Sequence, residues 1–330
     1  MKIGILGLGA MARVMADTLV QMEDVECRAV ASRDKMRAEA FAKEFGFQRA
    51  YGSYEELVRD PGVELVYVAT PHSHHFEHAK LCLEGGKPAL VEKAFTVNAR
   101  QAEALIELSR QKGLLLAEAI WTRYAPIRRE LEGLVANSPV GNIRMLTANL
   151  GYPVMHRERL RDPKLAGGAL LDVGVYAINF ALMAFGTDIA SIASAMSPTD
   201  TGVDMQNAVA FTYRDGKLAA LSSTIAARMD RRGVIMGDEG YIVCENINDI
   251  EMIRAFRFDG DEAQSVARRE VLAIPAPAEI SGYEHEVRAA MRAVREGKAE
   301  CAEMPHGETL RVMKIMDEIR AQWGLAYPGE

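Results

Sequence analysis

Cysteine is scarce in this chain. Cys27, Cys82, Cys244 and Cys301 are the only four among 330 residues, they lie far apart, and no two form a C-x-x-C. That argues against a disulfide framework or a cysteine-built zinc site, and suits reduced, mostly buried thiols in a cytoplasmic protein. No charge of one sign dominates. The 39 Lys and Arg stand against 46 Asp and Glu, a net charge of −7, which argues against nonspecific nucleic-acid binding through a basic surface. No apolar run reads as long enough to cross a bilayer, so no membrane partner is expected. Internal repeats and low-complexity segments are also lacking. What remains is 49% hydrophobic and 26% charged residues, an ordinary globular composition in a chain long enough for two domains.

The start of the chain is the most informative stretch. Residues 2–6 read as a short buried strand, and Gly7-Leu8-Gly9-Ala10-Met11-Ala12 has the form G-x-G-x-x-A at the opening of a helix. Gly7 allows a sharp turn, Gly9 a close backbone approach to a pyrophosphate, and Ala12 close packing of helix on strand. The helix that follows is amphipathic, and residues 25–31 form the next strand. A signal peptide is the rival reading, from Lys2, the apolar residues 3–8 and Ala10-Met11-Ala12. The run is short and broken by Gly4 and Gly7, so export is not expected.

Strands and helices alternate through the first third. Strands fall at 63–69, 89–91 and 114–117, with helices at 34–45, 53–59, 73–84 and 99–111. Such alternation predicts a doubly wound parallel sheet. After Trp121 the pattern changes. Strands at 143–150, 207–213, 218–226, 234–237, 241–245 and 251–256 follow one another, with Asp215-Gly216 as a hairpin turn. An apolar helix at 168–185 interrupts them, helices at 283–296 and 307–323 close the chain, and 259–262 reads as a loop. The expected fold is α/β: a Rossmann domain at 1–121 and an α+β domain at 122–330 with an open, mostly antiparallel sheet. The last helix can pack back on the first domain.

Candidate site residues come in four groups. Val30-Ala31-Ser32-Arg33 ends the second strand where an acid usually accepts bonds from the adenosine ribose. Ser32 can donate to a 2′-phosphate and Arg33 can pair with it, which favours NADP(H) and leaves NAD(H) open. Asp34 reads as a helix N-cap. Next, Thr70, Pro71, His72, His74, His75 and His78 crowd the end of another strand. Four of the seven histidines lie here, with His74 and His78 at i,i+4 spacing, but no acid or cysteine completes a ligand set and no metal is expected. The loop is expected to cover the nicotinamide side of the cofactor. Third, Glu92 and Lys93 stand at a strand's carboxyl end, where ligands bind in such sheets. Fourth, Asp172 is the only charge in the helix at 168–185, and Tyr176 follows four residues later on the same face. A lone carboxylate in an apolar helix needs a partner or a polar cavity. A lysine beside a phenol stabilises the phenolate, so Lys93 and Tyr176 suit acid/base work.

The segments GLGAMA, ATPHSHH, VEKA, WTRYAP and GGALLDVGVY, in this order over almost the whole chain, resemble the Gfo/Idh/MocA oxidoreductases. Glu118 to Tyr124 is most similar to the branch of dihydrodiol dehydrogenase and NADP-dependent D-xylose dehydrogenase. The resemblance implies catalytic Lys93, Asp172 and Tyr176, with Tyr176 as acid/base. It implies cofactor contacts from Gly7, Gly9, Ala10, Met11, Ser32, Arg33, Thr70, Pro71, His72, His75, Glu92 and Lys93. Trp121, Arg123 and Tyr124, with Asp172 and Tyr176, are then expected to bind a sugar or diol substrate, and the second domain's sheet to form a homodimer or homotetramer. Where the family has proline after the lysine, this chain has Ala94, so a cis-capable bond is expected to be lost. The expected reaction is hydride transfer between nicotinamide and a secondary hydroxyl or hemiacetal carbon. Alternatives are a noncatalytic NADP(H)-binding regulator and a redox-neutral enzyme that retains its cofactor. The arginines 157, 159 and 161 can meet an acidic substrate or a partner subunit, and the partner subunit is the expectation.

Overall fold

The computed structural model describes residues 1–258 and 268–330. The loop expected at 259–262 lies outside the described residues. The chain divides into two compact units: residues 1–124, 279–314 and 330 form the first, and 125–278 with 315–329 the second.

In the first unit six strands form one parallel sheet. They are β1 (Lys2–Leu6), β2 (Glu26–Ala31), β3 (Arg49–Tyr51), β4 (Leu65–Val68), β5 (Ala89–Glu92) and β6 (Leu116–Ala119), in the order β3-β2-β1-β4-β5-β6. The connecting helices are α1 (Ala10–Leu19), α2 (Lys35–Phe45), α3 (Tyr54–Arg59), α4 (His75–Glu84) and α5 (Ala99–Lys112). Every residue of β4, β5 and β6 is buried, as a sheet covered on both faces requires. The helix ends follow local chemistry. Asp34 caps α2 by accepting from the amide of Arg37, Ser53 and Glu56 make a capping box on α3, and Asn98 caps α5. Strand order reverses at β1, so the crevice beyond β1 and β4 is a topological switch point. The short strand β3 has no counterpart in the sequence reading, because three residues show no alternation.

The second unit holds α6 (Ile127–Ala136), β7 (Ile143–Gly151), α7 (Val175–Phe185), β8 (Ile189–Pro198), β9 (Asp204–Tyr213), β10 (Leu218–Thr224), β11 (Gly233–Gly237), β12 (Gly240–Glu245), β13 (Met252–Phe258) and β14 (Arg268–Pro275). Their order is β14-β13-β12-β11-β7-β10-β9-β8, and only β7 and β10 run parallel. The Asp215-Gly216 turn joins β9 to β10, with Gly216 at φ +86°. One face packs on α7, where Phe180 seats against Gly233: a Cβ there would lie 2.3 Å from the ring. The other face leaves Ala208, Ala210 and Leu218 exposed. The segment Pro163–Phe185 is long and apolar enough to cross a membrane, against the sequence expectation, yet 94% of its apolar window is buried in this fold. Its apolarity reflects a core position. Helices α8 (Glu284–Arg295) and α9 (His306–Trp323) follow; α8 belongs to the first unit.

Besides Asp60, paired with Arg28, and Glu284, which accepts from backbone amides, the first unit buries Glu92, Glu118 and Glu286 of α8. Tyr67 donates to Glu92. Burial pushes Glu118 up to about 7, opposed by the Thr309 hydroxyl and Arg123. Burial, then the charges of Glu92 and Glu118, hold Glu286 well above the usual carboxylate range. A carboxyl that binds its proton more tightly folded than unfolded supports the fold fully below about pH 4 and loses that support as pH rises toward its folded value. Urea unfolding at pH 5 and pH 8 should therefore show the wild type losing about 2–3 kcal/mol more than Glu118→Gln over that interval. Parallel profiles would contradict the buried-acid account.

Candidate functional site

The first unit builds a phosphate cradle from its glycines. Gly7 sits at φ +88° and donates its amide to Ala31 at 3.1 Å. A Cβ there would lie 2.6 Å from Thr70 Cγ2 and 3.1 Å from the Ala69 carbonyl oxygen. Gly9 differs: it is the N-cap of α1, and a Cβ would meet nothing nearer than the Ala69 oxygen at 3.8 Å. Open ground therefore lies before the helix start. The amides of Ala10, Met11 and Ala12 have no intrahelical acceptor, and no acid occupies the first turn. A glycine loop feeding a helix N-terminus at a switch point fits a dinucleotide pyrophosphate.

At the end of β2, Ser32 is buried and its Oγ accepts from the amide of Asp34 at 3.2 Å. Arg33 and Arg37 are exposed. Arg37 also donates to the Leu8 carbonyl, and both guanidinium groups act on the Tyr54 hydroxyl of α3. Asp34 is committed to its cap.

The histidine loop divides. His75 is fully buried, with Nδ1 2.8 Å from the Ala94 carbonyl and Nε2 2.7 Å from that of Thr70. Burial pushes its pKa down to about 4 against those carbonyls, with Lys93 lowering it further. Near neutrality one of the two contacts thus has no proton between its atoms. His72 is buried beside it, their rings 5.8 Å apart. His74 and His78 turn elsewhere, to Arg33 at the end of β2 and, for His78, to Tyr54 of α3. The sequence reading set all four on the nicotinamide side. A 3₁₀ turn at His72–His74 ahead of α4 separates the two pairs. Among the described residues no group of three His, Cys, Asp or Glu is placed to hold a metal ion.

Glu92 is buried as the acceptor of the Tyr67 hydroxyl, and Lys93 beside it is half-buried. The Lys93–Ala94 peptide bond is cis, against the expectation from Ala94. Trp121 is buried and stacks on Tyr283 with ring centroids 4.4 Å apart. Arg123 is buried and lies 3.5 Å from Glu308. The Tyr124 hydroxyl donates to the Glu118 carbonyl at 2.8 Å. These contacts lie within the first unit and are those of packed core residues.

In the second unit Leu170–Gly174 form a π-helical turn that runs into α7. Such turns recur at functional sites. Asp172 lies in this turn and Tyr176 in the first turn of α7, 8% and 7% exposed. The sequence reading gave one regular helix here. It also assigned Arg159 to a partner subunit, whereas its two Nη atoms lie 3.3 and 3.2 Å from Asp172 Oδ1. Arg161 pairs instead with Asp200 at 2.6 Å.

A second group was missed as well. Asp204 Oδ2 accepts from the amide of Leu170 at 2.7 Å and from Asn207 Nδ2 at 2.8 Å, while Asn207 Oδ1 accepts from Ser223 Oγ at 2.8 Å. Burial pushes Asp204 up to about 7 despite these donors. Gly168, at φ +114°, lies so close that a Cβ would stand 2.1 Å from Asp204 Oδ1. The acid thus anchors the start of the helix that carries Asp172 and Tyr176. Removing it leaves two buried donors unmet, so Asp204→Ala should lower unfolding free energy by about 2–4 kcal/mol. Arg159→Ala, at a part-exposed ion pair, should cost about 1 kcal/mol or less. Equal losses in urea unfolding would refute this ranking.

Comparison with known proteins fits both units. Residues 1–119 match the family model described as oxidoreductase family, NAD-binding Rossmann fold, and residues 129–243 match that of the GFO/IDH/MocA C-terminal domain. The trans-1,2-dihydrobenzene-1,2-diol dehydrogenase of Danio rerio is 33% identical over 306 residues, covering 91% of this chain and 89% of that one. The D-xylose 1-dehydrogenase (NADP(+)) of Hypocrea jecorina is 32% identical over 368 residues, covering 99% and 93%. The structure of a 3-ketoreductase from Actinomadura kijaniata with NADP and TDP-benzene matches with a TM-score of 0.85 at 25% identity over 97% of both chains. Levoglucosan dehydrogenase in complex with NADH, at 18% identity and a TM-score of 0.82 over 98% and 97% of the chains, shares the fold. Glycine cradle, strand order and antiparallel second sheet agree with these matches, and the chain belongs to the GFO/IDH/MocA oxidoreductase family, with an NAD(P)-binding Rossmann fold in its first unit.

Proposed function

We propose that this protein is an NADP(H)-dependent dehydrogenase or reductase. It moves hydride between nicotinamide and a secondary hydroxyl or hemiacetal carbon of a sugar or cyclic vicinal diol. The observation that carries the reading is the pair Asp172 and Tyr176 on a buried, mostly apolar segment, the carboxylate held by Arg159. A helix core has no packing use for that pair.

When bound, the nicotinamide supplies or accepts the hydride. The chain's residues do the rest. The glycine loop and the start of α1 hold the pyrophosphate. Tyr176 takes the proton from the reacting hydroxyl in oxidation and returns it in reduction. Lys93 contributes the positive charge that favours the phenolate. Asp172, oriented by Arg159, accepts a hydrogen bond from a substrate hydroxyl. Arg33 meets the 2′-phosphate, which supports NADP(H) over NAD(H). A noncatalytic cofactor-binding regulator would need none of Lys93, Asp172 and Tyr176. The reading includes a cytoplasmic location, which suits four free thiols, three of them buried.

A spectrophotometric screen of sugars and diols with both cofactors tests the activity. Substrate consumed without net change in reduced-nicotinamide absorbance would favour a redox-neutral reaction. Tyr176→Phe should lower kcat by about 100-fold or more while NADP(H) affinity stays within about twofold. Near-normal turnover would remove the acid/base role.

The reading also includes a homodimer or homotetramer through the open face of the second unit's sheet, where small and apolar side chains lie in register: exposed Ala208 with half-buried Ser222, exposed Ala210 with half-buried Ala220, and exposed Thr212 with exposed Leu218. Ala210→Arg should convert the oligomer to a smaller species in sedimentation velocity, because a buried unpaired charge disfavours association. A monomeric wild type would end this assignment.

A further inference from the structure

The histidines that turned away from the lysine loop form a group of their own. His74 and His78 stack with centroids 5.7 Å apart at 20°. Tyr54 meets His78 edge-on at 4.6 Å. Nδ1 of His74 lies 2.9 Å from Ser73 Oγ and Nδ1 of His78 3.0 Å from Thr70 Oγ1. Among the described residues neither ring's Nε2 takes a hydrogen bond. Both rings are half-buried beside Arg33.

We propose that the His74–His78 pair takes up a proton from solvent when an adenosine 2′-phosphate docks on Arg33 and Arg37, so that recognition of this phosphate is proton-linked and tightens as pH falls toward neutrality. The proposal rests on the NADP(H) reading above and adds to it a second set of residues.

The charges that face the pair decide the sign. Arg33 comes from the end of β2, the Tyr54 ring and Glu55 from α3, and His75 from α4. Burial and then Arg33 lower His74. Burial, the neighbouring imidazoles and Arg33 push His78 down to about 4, with Glu55 alone opposing. Without an anion both rings are therefore neutral at physiological pH. A phosphate dianion on Arg33 cancels the cationic field and supplies a negative one. A single negative charge at hydrogen-bond distance raises an imidazole's proton affinity by on the order of a hundredfold. One proton then enters at Nε2 of His74, the less depressed ring of the stacked pair, and the imidazolium donates to the phosphate. The phosphate titrates near pH 6, so the effect must be read above pH 7, where it is already a dianion.

Isothermal titration calorimetry with 2′,5′-ADP and 5′-ADP provides the test, run at pH 7.0–8.5 in buffers of different ionisation enthalpy. Affinity for 2′,5′-ADP should weaken by about 5- to 30-fold across that range, with uptake of about half to one proton per site at pH 7.5. Affinity for 5′-ADP should change by less than about twofold. In the double variant His74→Gln with His78→Gln, the uptake and the pH slope should vanish, while Arg33 still gives 2′,5′-ADP the advantage. In the wild type, histidine Cε1 resonances observed by NMR should move to imidazolium positions on addition of 2′,5′-ADP at pH 7.5, a readout independent of the variant's folding. Preference for 2′,5′-ADP with no proton uptake and unmoved resonances would overturn the proposal and leave the NADP(H) reading standing. No preference at any pH would overturn both.

Discussion

The turn at Gly7 leaves no space for a side chain, and the first unit is organised around that contact. Because a Cβ would strike Thr70 and the Ala69 carbonyl, the carboxyl ends of β1 and β4 can lie against one another. The Ala69 amide donates to Leu6 at 2.9 Å. Thr70 is then fixed from two sides. Its carbonyl meets His75, and His75 meets the carbonyl of Ala94, the residue after Lys93. Its hydroxyl meets His78. One glycine thus ties the phosphate loop, the histidine loop and the lysine loop into a single chain of contacts. Those contacts run backbone to side chain to backbone, so the lysine loop is positioned without any large side chain spanning the crevice.

The second unit solves a different problem. Its central segment is apolar on all sides, and burial of that surface is its main source of stability. Burial alone does not set a helix's register along its axis, because hydrophobic attraction has no direction. Directional bonds do. Asp204, which opens β9, takes the amide of Leu170 at the helix start, and Asn207 and Ser223 link that acid to β10. The π-helical turn lies directly after this anchor. Asp172 and Tyr176 therefore project from a segment fixed at its start by hydrogen bonds and along its length by packing, which is what a site accurate to a fraction of an ångström requires.

Much of this was legible in the sequence for local reasons. A glycine turn between a buried strand and a helix, continuous apolar strands and a hairpin glycine each declare themselves within ten residues. Asp34 was read as a cap, and it is one. The failures have a common cause: the partner lies far along the chain or the segment lacks contrast. Strand β8, with its run of Ala and Ser, has no apolar alternation to detect. Arg159 reaches Asp172 across an irregular loop of short 3₁₀ turns. Asp204 and Leu170 are 34 positions apart. A signal for it was present, since an acid opening an apolar strand must be paired or exposed. The histidines misled because four in one span suggest a common role, whereas a 3₁₀ turn entering a helix sends them in two directions.

Two groups of charge in the first unit are handled in opposite ways. Glu92, Glu118 and Glu286 are buried, and burial makes Glu118 and Glu286 resist ionisation. Arg33 and Arg37 stand in water at the rim, where a guanidinium costs little to keep and little to bring to an anion. The consequence is a polarised edge. Helix amides and two arginines face the place where phosphates are proposed to bind. Asp34, the carboxylate best placed to compete for them, is turned back to cap α2. An acid at that point of the fold ordinarily accepts from ribose hydroxyls and repels a 2′-phosphate. With Oδ1 engaged by the amide of Arg37 in its own helix, it turns away from the place proposed for the ribose. That displacement of one carboxylate by a local capping bond is the step that makes a phosphate-accepting edge compatible with an aspartate beside it.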